Sequence, residues 1–149
     1  MLLKQKVYLH FQQLLSDKMV LLQNTLDDLK ESGKNETKST AGDKHETALA
    51  MLQIEQENKR KQLRDTLEQK DIFDKIDISI SLGKVVMGSL VKTNHGHLFV
   101  SVALGKAVID TATIIALSPH SPLGKKLMGA KVNDIIDMQN FKYLIEEIF

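Results

Sequence analysis

Residues 1–71 contain no proline and carry two long stretches of helical periodicity interrupted once, which leaves the chain few ways to fold. Tyr8, Leu15, Met19, Leu22, Leu26 and Leu29 recur at helical spacings, the mark of a helix with one apolar seam. Val7, Phe11, Leu14 and Leu21 widen that seam and weight it toward the amino end, where the helix is expected to touch the second half of the chain. The pattern stops at Glu31-Ser32-Gly33-Lys34-Asn35: Gly33 suits a left-handed helix end and Asn35 a turn, so 33–42 reads as a polar loop. A second helix is expected from Asp43, or a residue or two before it, through Ala48, Met51, Leu52, Ile54, Leu63 and Leu67 to about Gln69. Between Glu55 and Gln62 it has no apolar side chain, so propensity and charge pairs must carry that stretch. Two helices of roughly 28 residues joined by a short loop make a hairpin about 40 Å long.

After Asp71-Ile72-Phe73-Asp74 the period changes, and residues 76–149 are rich in Ile, Val and Gly and hold both prolines. Residues 84–91 and 97–103 read as strands, with Asn94-His95-Gly96 as the hairpin turn between them. Further strands are expected at 114–117, 135–138 and 143–148. Between the first two of these, Ser121 suits an N-cap, Pro122 the first helical position and Gly129 a stop, which predicts one short helix on a face of an antiparallel sheet. The expected class is α+β, with a helical hairpin over 1–73, its tip at 33–46, and a small sheet domain over 76–149.

Charge and composition exclude several functions. A formal net charge of +1, with Lys and Arg dispersed, disfavours a direct, tight duplex binder. The absence of cysteine excludes a disulfide framework and thiolate metal sites. No apolar run approaches the roughly 20 residues of a spanning helix. The opening Met1-Leu2-Leu3-Lys4-Gln5-Lys6 lacks the apolar core of a signal peptide, so a soluble cytoplasmic protein is expected.

The most chemical segment is Gly42-Asp43-Lys44-His45-Glu46, where two carboxylates stand three residues apart at the head of the second helix. Asp43 as N-cap with Glu46 reaching back is a capping box. The same pair could be metal ligands, and the two roles are compatible because a capping carboxylate keeps free lone pairs. His95 and His97 have no third ligand nearby in the sequence and read as turn and edge-strand residues. Ser118, His120 and Ser121 fall in a proline-rich helix start and not in a nucleophile elbow. Lys59, Arg60, Lys61 and Arg64 read as a basic stripe: a solvated face, or one that meets acidic walls or RNA phosphate.

A helical hairpin followed by a sheet domain with this Ser-Pro turn resembles the bacterial Gre family of transcript-cleavage factors. Gly42-Asp43-Lys44-His45-Glu46-Thr47-Ala48 looks like the family's tip motif, Gly-Asp-x-x-Glu-Asn-Ala. Leu117-Ser118-Pro119-His120-Ser121-Pro122-Leu123-Gly124, with Leu127 and Gly129, looks like its carboxy-domain signature. The resemblance implies an FKBP-like second domain that docks at the rim of the RNA polymerase secondary channel, Ser121, Pro122, Leu123 and Gly124 being candidate contacts. It implies that Asp43 and Glu46 help hold a Mg²⁺ shared with the polymerase, whose active centre then cuts the 3′ end of backtracked RNA. The chain itself would not be an enzyme, and a monomer whose hairpin packs on itself is expected. Where the family has Asn, or a polar or aromatic residue, after the second acid, this chain has Thr47-Ala48-Leu49-Ala50. Relatives in the same superfamily dock and inhibit instead. Two further readings stand beside it: a peptidyl-prolyl isomerase, disfavoured by the scarcity of aromatics in the second half, and a coiled-coil adaptor, which would dimerise through its seam.

Overall fold

A computed structural model of the chain describes residues 2–37 and 42–149, with side chains described outside 36–45. The architecture is α+β: a long helical hairpin, α1 (Leu3–Thr37) and α2 (Gly42–Asp74), is followed by six strands and one short helix. The strands are β1 (Leu90–Thr93), β2 (Gly96–Val100), β3 (Gly105–Ile109), β4 (Ala112–Leu117), β5 (Ile135–Met138) and β6 (Phe141–Ile148), with α3 (Pro122–Leu127) between β4 and β5. Two compact units result, Gln13–Lys70 and Met1–Gln12 with Asp71–Phe149. Among the described residues no helix is long and apolar enough to cross a membrane.

Within Gln13–Lys70 the two helices run antiparallel. The Gln56 amide Nε2 donates to the Leu29 carbonyl at 3.3 Å, and a β-carbon on Gly33 would meet Leu52 Cδ2 at 3.2 Å. Four residues forward on α1 therefore correspond to four residues back on α2, as antiparallel helices require. Gly33 is thus not the left-handed end that the sequence suggests. It lies inside α1, which continues to Thr37, and it brings the two helices close together. The tip expected at 33–46 includes 38–41, which lie outside the described residues.

The seam is also narrower than expected. Leu15 and Leu22 are buried, but Leu14 and Leu21 are exposed, as are Met51, Ile54 and Leu67 on α2. The enclosed face of α2 follows Leu52, Gln56, Lys59, Leu63 and Thr66. Met51 and Ile54 fall about 100° and 200° around the helix from Leu52 and so face water. Polar side chains close the seam where apolar ones are missing: buried Thr66 donates its hydroxyl to the Gln62 carbonyl at 2.8 Å, and Gln56 bonds across to Leu29. The stretch without apolar residues carries the ion pairs Glu55–Lys59, Glu57–Arg60 and Glu57–Arg64, each worth only tenths of a kcal/mol (about 0.3–0.5).

In the other unit the sheet order is β3-β4-β2-β1-β6-β5. Every pairing is antiparallel except β2 with β4. That exception follows from β3, a strand not expected from the sequence. The chain leaves β2, forms β3 at the sheet edge and returns through Asp110 and Thr111, both at positive φ, so that β4 lies parallel to β2. The strand expected at 84–91 begins only at Leu90; Lys84 makes an isolated bridge to Lys131, and the chain turns at Gly88 (φ 88°) before pairing starts.

The centre of the sheet is covered on both faces. On one lie Val91, Leu98, Val100, Leu117 and Ile145, packed with Leu127 of α3 and with Val85, Ala130 and Ile136. On the other, Phe99 stacks on Phe11 of α1 with ring centroids 6.4 Å apart and meets the edge of Phe73 at 6.1 Å, while Phe73 stacks on Tyr8 at 4.8 Å. Alternation along β2 produces this division: Leu98 and Val100 point one way, Phe99 the other. The amino-terminal weighting of apolar residues in α1 thus has a packing cause. Its first turns cover a sheet face.

Candidate functional site

The two acids near the interhelical connection are placed by α2. That helix already includes Gly42, so Asp43 lies in its first turn and Glu46 one turn further, on the same face. The capping-box expectation put Asp43 itself at the N-cap; its side chain, with those of Lys44 and His45, lies outside the described residues. A carboxylate in the first turn is in any case favoured by the unpaired amides and partial positive charge of a helix amino terminus. Glu46 is exposed. Among the described residues no group of three His, Cys, Asp or Glu side chains could hold a metal ion. Two carboxylates one turn apart offer hard oxygen donors suited to Mg²⁺, but too few to fill its octahedral shell, so they fit an ion whose other ligands come from elsewhere.

The second candidate segment is built around α3. Ser121 is its N-cap: the Oγ accepts from Gly124 N at 3.0 Å and donates to the Ser118 carbonyl at 2.7 Å. Ser118 Oγ in turn accepts from His120 N at 3.1 Å, so Ser118 and Ser121 serve the turn. Pro122 occupies the first helical turn, where its missing N–H costs nothing. Of the four candidate contact residues, Pro122 is exposed, Gly124 is buried, and Leu123 packs partly against the core. The exposed chemistry here is Pro122 flanked by His120, Lys125 and Lys126.

The basic residues of α2 do not form one stripe. Lys59 lies on the half-buried seam, while Arg60 and Arg64 both approach Glu57 on the exposed surface. The two guanidinium groups share that one carboxylate.

The histidines part company. His95 sits in the β1–β2 turn against Phe141, centroids 4.1 Å apart, with Tyr143 at 5.8 Å. His97 is on β2, which lies between β4 and β1, so it is not the edge-strand residue expected. Register aligns it with Lys92 of β1, and Lys92 with Glu147 of β6, giving one row across three strands. Lys92 Nζ lies 3.7 Å from Glu147. Burial, reinforced by the Lys92 charge, lowers the His97 imidazole below its ordinary value; Glu147 and Glu146 oppose the shift without cancelling it. Its Nδ1 is buried with no hydrogen-bond partner. Nothing local in the sequence marks this row, because it exists only through strand register.

No family model and no curated protein matches the chain. Among solved structures it is similar to that of the transcription factor Gfh1, at 18% sequence identity and a TM-score of 0.38, with 92% of each chain covered.

Proposed function

We propose that this protein is a transcription factor that docks at the RNA polymerase secondary channel and stimulates the polymerase's own cleavage of backtracked RNA. The observation that carries the reading is the position of Asp43 and Glu46, one turn apart in the opening turns of α2, directly after the connection between two long antiparallel helices. The resemblance of 42–48 and 117–129 to the Gre motifs supports it. So does the agreement of the second motif with the Ser121-capped helix.

In this reading the FKBP-like unit docks through the exposed side of the α3 turn, and the hairpin carries the acids to the polymerase active centre. Asp43 and Glu46 would contribute carboxylate oxygens to a Mg²⁺ whose remaining ligands belong to the polymerase and water. Bound there, the ion would supply Lewis-acid activation of a water and charge stabilisation at the scissile phosphate. Glu46 is exposed, so its carboxylate is open to such an ion. The chain has no hydrolytic activity of its own, and it acts as a monomer in the cytoplasm.

A second reading keeps the docking and omits the chemistry, so that the chain inhibits or competes with other channel-entering factors. Thr47-Ala48-Leu49-Ala50 favours it, since these residues replace polar or aromatic ones beside the second acid. Adding the protein to a stalled, backtracked elongation complex separates the two. Stimulated cleavage that Asp43→Ala abolishes while polymerase binding persists supports the first reading. Binding with no stimulation supports the second, and equal cleavage by wild type and variant overturns the first.

A further inference from the structure

On the α1-facing side of the sheet lies a cavity of about 570 Å³, lined by the first turn of α1, the 78–81 segment, and the row His97, Lys92 and Glu147 with Leu90 and Phe149. Its size is that of a small-molecule site, and its walls are apolar except for a few convergent groups. One of these is anomalous. Lys4 as a residue is only 9% exposed, yet among the described residues no carboxylate pairs with its ammonium: Nζ donates to the Ile80 carbonyl at 3.1 Å in a part-buried bond. The one acid whose field reaches it, Asp77, is itself solvent-exposed and accepts from both the backbone N–H and the hydroxyl of Ser79. A carbonyl dipole satisfies a donor but does not neutralise a charge, so the partial burial of this ammonium is under-compensated. Burial lowers the Lys4 ammonium from its ordinary value more than Asp77 raises it. Lys92 lies 3.7 Å from Glu147, the one side-chain carboxylate of the lining, so that acid is already engaged.

We propose that this cavity binds a small monocarboxylate with an apolar tail, its carboxylate paired with Lys4 and its tail against Leu2, Leu3, Leu90, Ile148 and Phe149. Charge selects the head group: an anion relieves the buried cation, whereas a cation adds to it. The apolar wall selects the tail, since a short polar acid would leave that surface wet. The site lies wholly within one compact unit and is independent of the proposed role at the polymerase.

Octanoate, octanol and octylamine are suitable probes for the full-length protein, read by calorimetry and by NMR of the Lys4 side chain. Saturable octanoate binding is expected, at least about tenfold tighter than octanol, as a charge-assisted hydrogen bond implies. Octylamine is expected not to bind. Octanoate should also shift the Lys4 titration to higher pH, and Lys4→Met, which keeps the apolar stem, should weaken binding at least about tenfold. If Lys4→Met does not fold, the ligand series and the Lys4 titration in the wild-type chain decide the matter. No saturable octanoate binding, binding equal to that of octanol or octylamine, or a Lys4 titration unmoved by octanoate overturns the proposal.

Discussion

The backbone of Gly124 passes so close to the carbonyl oxygen of Ser118 that a β-carbon on residue 124 would lie 2.0 Å from it, and 2.9 Å from the α-carbon of Pro119. Both obstacles are backbone, in a turn tied by the Ser121 hydroxyl, so neither can swing away. Gly124→Ala is expected to destabilise the sheet unit by about 2 kcal/mol or more. Thermal unfolding of the variant checks this, and an unchanged melting temperature would show that the turn relaxes freely.

Gly33 makes the opposite case. Its close neighbour is the end of a flexible side chain, Leu52 Cδ2, and its backbone is helical. Gly33→Ala therefore gains up to about 1 kcal/mol of helix propensity against a small rearrangement of Leu52. The variant should be as stable as wild type or more so, by up to about 0.5 kcal/mol. A left-handed helix end at Gly33 would instead make alanine destabilising, so the sign of the change in denaturant midpoint distinguishes the two.

The Phe73 ring, fully buried between Tyr8 and Phe99, joins the end of α2 to the sheet. Phe73→Ala removes its ring contacts and leaves a cavity, at a cost of about 3–5 kcal/mol. Phe73→Leu should cost less than half as much. Equal losses in chemical denaturation would mean that the apolar volume restored by leucine recovers nothing and that the ring contacts carry the whole effect.

Because burial and Lys92 hold the His97 imidazole below its ordinary value of 6.5, the unfolded chain takes up the proton first as pH falls. The contribution of His97 to stability is whole above that value and is lost as pH falls from it toward the folded-state value. The melting temperature should fall between about pH 7.5 and about pH 5.5, and less so in His97→Gln. Identical pH dependence in both proteins would assign the acid sensitivity to groups other than His97.

Part of the candidate site was legible in the residues and part was not. Ser121, Pro122 and Gly129 announced α3 because capping is a matter of a few neighbouring residues. Asn94, His95 and Gly96 marked a real turn for the same reason. Gly33 misled, because a glycine that ends a helix and a glycine that admits a neighbouring helix look alike in one dimension. Leu14, Leu21, Met51 and Ile54 misled because apolar type alone does not say which face of a helix has a partner. β3 escaped because an exposed edge strand has little need of a continuous apolar face.

By itself the sequence determined the helical hairpin, the change to strands after Phe73, the α+β class and the capped α3. All of these rest on periodicity and on interactions between residues a few positions apart. Tertiary structure alone decided the parallel pairing of β2 with β4, the closure of the seam by Gln56 and Thr66, and the row of His97, Lys92 and Glu147 beside the buried Lys4. Those depend on strand register and on which surfaces meet across long stretches of chain, and no local pattern encodes them.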